Sequence, residues 1–108
     1  MSLKLANAGL PIRIARPSRD LARAEQFYVS GLGLSVLYRH DAAPGVDEAS
    51  LRILGWLGAS WHLELTHNLE HPLTPTPTSE DLLAVYLGER VPSSLLEQLE
   101  AHGGIRVK

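Results

Sequence analysis

WHLELTH, Trp61 to His67, alternates apolar and polar side chains with period two. Read as a strand, it sends Trp61, Leu63 and Leu65 to one face and His62, Glu64 and Thr66 to the other. The first face is core material, and the second is left for water or chemistry. A carboxylate flanked at two-residue spacing by an imidazole and a hydroxyl, all on one rigid element, is a way of presenting groups to a ligand. The remaining segments therefore matter by what they bring to Glu64.

Upstream, the chain reads as strand, helix, strand, strand. From Pro11, Ile12 and Ile14 alternate with Arg13 and Ala15 until Pro17 ends the strand. Ser18 and Asp20 offer caps for a helix carrying Leu21, Ala24, Phe27 and Tyr28 on one side, with Gly31 expected as its left-handed end. Leu34, Val36 and Tyr38 alternate with Ser35, Leu37 and Arg39 in a second strand. The turn-rich DAAPGVDEA, residues 41–49, leads to a third near Ser50 to Trp56, and Gly55 to Ser60 turns into WHLELTH. Residues 1–10 are a lead-in and 11–67 a β-α-β-β-β module.

Downstream, residues 68–79 (NLEHPLTPTPTS) form a proline-spaced connector that favours an extended course. LLAVYLG, Leu82 to Gly88, reads as a further strand. Pro92 with Ser93 or Ser94 opens a helix, with Ser94 and Glu97 spaced as a capping box and Leu95, Leu96 and Leu99 as its stripe. Gly103 and Gly104 stop it, and Ile105 to Lys108 begins another strand. Residues 80–108 thus read as a partial second copy of the module.

Bulk properties narrow the function classes. One domain of 108 residues, 44% hydrophobic, can bury a modest core. Ten basic against twelve acidic residues, with no basic run, exclude a nucleic-acid groove. No stretch approaches the length of a membrane span, no leader is evident, and the cytoplasm is the expected location. The absence of cysteine removes disulfides, thiolate metal sites and a thiol nucleophile, so any metal would need His and carboxylate ligands.

IRIARPSRDLARAEQFYVSGLGL and HLELTHN together resemble the first module of the vicinal oxygen chelate superfamily, which contains glyoxalase I, extradiol dioxygenases, fosfomycin-resistance enzymes and bleomycin-resistance proteins. LLAVYLG followed by LLEQLEAHGGIRV is similar to the start of its second module. The resemblance implies an α+β fold in which paired βαβββ modules form curved mixed sheets around a cleft. In the metalloenzymes, one residue from the first and one from the fourth strand of each module chelate a divalent ion. Glu64 falls on the fourth-strand carboxylate of the first module, Arg13 on its first-strand ligand and Leu82 on the first-strand ligand of the second.

A guanidinium does not deprotonate and repels a divalent ion, so Arg13 argues against that metal centre, and neither a cofactor nor a metal ligand set is assigned. The expected function is metal-independent binding of a small polar or aromatic molecule in a cleft lined by Arg13, His62, Glu64, Thr66 and Tyr86. Arg13 would pair with Glu64 or anchor a carboxylate or phosphate. The competing readings are a metal-dependent lyase, isomerase or dioxygenase with Glu64 as ligand or base, completed by a second subunit or further chain, and a structural or regulatory module without ligand. For Arg13 and Glu64 the bland reading is a structural ion pair, and for Tyr86 it is core packing. An uncovered sheet edge in the partial second copy points to a homodimer.

Overall fold

The computed structural model describes residues 10–107. Strand β1 (Ile12–Pro17) leads into helix α1 (Leu21–Gln26), which widens into a π-helical turn over Phe27–Gly31. Strands β2 (Ser35–His40), β3 (Ser50–Gly55) and β4 (Trp61–His67) follow, then helix α2 (Ser93–Ala101). The strands make one mixed sheet in the order β1-β4-β3-β2, with β1 parallel to β4 and the other pairs antiparallel. No described helix is long and apolar enough to cross a membrane.

Register sorts the side chains into two faces. Ile12, Ile14 and Arg16 lie beside Trp61, Leu63 and Leu65, and Leu63 and Leu65 lie beside Leu54 and Arg52. This face packs on α1, and its core is Leu21, Leu34, Leu54, Leu63 and Leu65, with Ala24, Tyr28, Val29, Trp56 and Trp61 around it. Each fully buried leucine contributes about 1.5–3 kcal/mol. Trp56 and Trp61 meet edge to face at 5.7 Å, with Trp61 on the helix side as the alternation of β4 requires. Arg52, only 12% exposed, joins Glu25 of α1 at 3.3 Å and Asp41 at 2.8 Å, and Arg39 reaches the same Glu25 at 2.6 Å. These ions clamp α1 to β2 and β3.

Asp20 caps α1 as expected, accepting the Arg23 N–H at 3.0 Å. The left-handed residue after the π turn is Gly33 (φ 82°), not Gly31. The π turn adds a residue before the exit, and the Leu34 N–H returns to the Tyr28 carbonyl at 3.0 Å. Gly31 is instead buried beneath α2, where a Cβ would meet Leu99 Cδ2 at 3.2 Å. In β2 a register shift between Val36 and Tyr38 breaks the alternation, so Tyr38 leaves the face of Val36 and stands opposite Ile53.

The second half departs further from the expected pattern. Residues 82–87 form no strand, nor do 105–107, and Leu82, Tyr86, Ile105 and Val107 are almost fully exposed. A strand exists only when another strand pairs with it, and these segments have none. The described chain accordingly has one open sheet, with no second sheet to enclose a cleft. Helix α2 begins at Ser93 with Pro92 as N-cap and no side-chain cap, so Ser94 is already inside the helix and the expected capping box is not formed. Its end is as expected: Gly103 is left-handed (φ 100°), the Gly103 N–H bonds to the Glu100 carbonyl and the Gly104 N–H to that of Leu99.

Candidate functional site

The face of the sheet away from α1 collects the polar residues of β4. Three cross-strand rows follow from register. Arg13 stands beside His62 in the first; Ala15, Glu64, Ile53 and Tyr38 form the second; Pro17, Thr66, Leu51 and His40 form the third. The His62 ring lies over Gly55, where a Cβ would meet His62 Cδ2 at 3.1 Å and Leu37 Cδ1 at 3.2 Å. Glycine at this position makes room for the imidazole. Tyr38 and His40 were not legible as members of this face, because the bulge at Leu37 reverses the parity that simple alternation assigns to Tyr38.

Arg13, His62, Glu64 and Thr66 thus share one face, as their alternation requires. His62, Glu64 and Thr66 are half-buried and Arg13 is exposed. Arg13 and Glu64 are diagonal neighbours, but they make no ion pair with each other, and neither has a side-chain hydrogen bond or ion pair to another described residue. Their charges are therefore held on the same surface without being spent on one another. Tyr86 is not part of this face: it lies outside the sheet and is 91% exposed, so neither the expected aromatic wall nor core packing is formed in the single chain.

The rim of the face is tied down by carboxylates in the β2–β3 loop. Glu48 Oε1 lies 2.7 Å from His40 Nε2, and Asp47 Oδ1 lies 2.8 Å from His71 Nδ1. Asp47 also accepts from Asn68 Nδ2 at 2.9 Å. The hydrogen bonds from Asn68 and then His71 hold the Asp47 carboxyl below its ordinary pKa. The connector is thereby fastened to the loop.

The donor chemistry does not fit the metal centre of the metalloenzymes. No described group of three His, Asp or Glu side chains converges, and the neighbour that register gives His62 is the Arg13 cation. Two cavities lie elsewhere. One, of about 600 Å³, opens on the helix side between Ile14, Arg16, Leu63 and Leu65 and the passing residues Leu73–Pro77 and Asp81–Leu83. A second, of about 570 Å³, lies between the start of α1, Pro75 and His102. Tyr28 borders both, and burial raises its phenol above the ordinary pKa.

Comparison with known proteins agrees with this architecture. The solved structure of a YycE protein of unknown function from Bacillus subtilis, provisionally named a glyoxalase/fosfomycin resistance protein, superposes with a TM-score of 0.73 at 28% identity, covering 93% of this chain and 72% of that one. The likeness supports a glyoxalase-like fold. No curated protein matches the chain. The family model of the YycE-like N-terminal domain matches residues 12–66, the span from β1 to the last row of β4. The chain belongs to the YycE-like family.

Proposed function

We propose that the open face of the sheet binds a small polar or aromatic molecule without a metal, with Arg13 anchoring an anionic group and His62, Glu64 and Thr66 dividing its remaining hydrogen-bonding groups. The observation that carries this reading is the juxtaposition of Arg13, His62 and Glu64 on one face, with the cation and the carboxylate left unpaired by each other. Guanidinium recognises carboxylate and phosphate by two parallel hydrogen bonds. Ile53 and Tyr38, in the same row as Glu64, supply an apolar floor and an exposed aromatic ring against which a ligand ring can pack. Glycine at position 55 sets where the imidazole stands.

A thermal-shift screen of small carboxylates, phosphates and aromatic acids tests the reading, because a ligand that binds only the folded chain raises its melting temperature. Hits should persist in chelator, vanish in Arg13→Met, and weaken about tenfold or more in Glu64→Gln, the loss expected when one charged hydrogen bond is removed. Stabilisation that depends on a stoichiometric divalent ion would contradict it.

A further inference from the structure

We propose that the cavity on the helix side of the sheet binds a second class of small molecule, uncharged and mostly apolar, with one hydrogen-bond acceptor that the Tyr28 hydroxyl meets. Its size and lining are the first reason. At about 600 Å³ it lies in the range of ligand pockets, which are mainly apolar with a few polar groups that orient the occupant. Its floor is Leu63 and Leu65, both buried, and its walls carry Ile14, Leu73, Leu82 and Leu83. Those four keep between 38% and 82% of their surface exposed, so apolar area remains for an occupant to cover.

The walls are set before anything binds. Pro75 and Pro77 fix their own φ and lack an N–H, so the connector passes the cavity as a stiff wall with few donors to satisfy. It is fastened near its start by Asp47 to Asn68 and His71. Beyond Pro77 it is fastened by Asp81, whose Oδ2 accepts from the Thr78 N–H at 2.9 Å and the Thr78 hydroxyl at 3.1 Å. Walls held in this way need little further ordering when the cavity is filled.

The charges on the lining answer one another. Among the described residues they are Arg16 and Asp81. The Thr78 bonds, and after them the Arg16 charge, hold the Asp81 carboxyl below its ordinary pKa, so the two stay ionised and sum to zero. No surplus charge is left to select an ion, in contrast to Arg13 on the open face. Tyr28 supplies the polar handle. Burial alone raises its phenol, which keeps it protonated and able to donate, and no hydrogen bond engages it among the described residues. Its ring rests edge to face on Phe27 at 5.2 Å. An unpartnered donor on an apolar wall favours a ligand that brings an acceptor.

Titration of the intact chain with acetylnaphthalene, an uncharged aromatic ketone, and with naphthalene, which lacks the carbonyl, tests the proposal by methyl NMR. Both should shift the methyls of Ile14, Leu63, Leu65 and Leu73. Tyr28→Phe should weaken acetylnaphthalene about threefold to tenfold, the loss of one neutral hydrogen bond, and leave naphthalene unchanged. Leu73→Asp, at an exposed position, should weaken both by more than about tenfold with unchanged circular dichroism, because it sets a charge on the apolar wall. Arg13→Met, which disables the open face, should change neither. The aspartate variant keeps the test decisive if Tyr28→Phe disturbs the fold. Shifts at Ala15, Leu51, Ile53 and Thr66 instead, or an equal loss of both probes in Tyr28→Phe, overturn the proposal. So does an absence of binding up to the solubility of the probes, and methyl shifts that then follow protein concentration would name a second copy as the occupant.

Discussion

Gly33 and Asp47 show how far single residues govern this fold. A Cβ on Gly33 would meet nothing within 4 Å, yet its φ of 82° is one that other residues adopt at a cost. Gly33→Ala should therefore lose about 1 kcal/mol of stability through the backbone alone, read as a lower urea midpoint with unchanged slope. Asp47 carries a pH dependence. Its pKa is depressed in the folded chain by Asn68 and His71, so the stabilisation is fully present above the ordinary value of 3.8 and is lost as pH falls through the lower folded value. Asp47→Asn should flatten the fall of the unfolding midpoint below that ordinary value. An unchanged acid limb in the variant would show that the connector is not held by this carboxylate.

Among the elements, α2 depends on a close approach. A Cβ on Gly104 would lie 2.8 Å from the Leu99 carbonyl oxygen and 3.0 Å from Phe27 Cε2, and backbone cannot yield as a side chain does. Gly104→Ala should loosen α2 from the π turn, seen as faster amide exchange over 93–101 while the exchange of β3 and β4 is unchanged. Elements whose signal lies within their own residues were legible from sequence: β4 from its alternation, α1 from Asp20 and its apolar spacing, and the end of α2 from Gly103 and Gly104. The shared face of Arg13, His62, Glu64 and Thr66 followed from the same alternation. What failed depended on information outside each segment. The π turn moves the left-handed position to Gly33, and the bulge at Leu37 puts Tyr38 and His40 on the same face of the sheet as Glu64. Leu82–Leu87 has the pattern of a strand but no ladder within the described chain, so Tyr86 could not be placed by parity.

At the scale of the whole molecule, the sheet has two different surfaces, a helix-covered side with the cavities and an open side with the unpaired charges. The proposed ligand site is on the open side, and methyl NMR separates the two because neighbouring residues on each strand point opposite ways. With a hit from the acid screen bound, nuclear Overhauser contacts from the ligand should reach the methyls of Ala15, Leu51, Ile53 and Thr66. Contacts instead to Ile14, Leu63, Leu65 and Leu73, which border the helix-side cavity, would contradict the assignment.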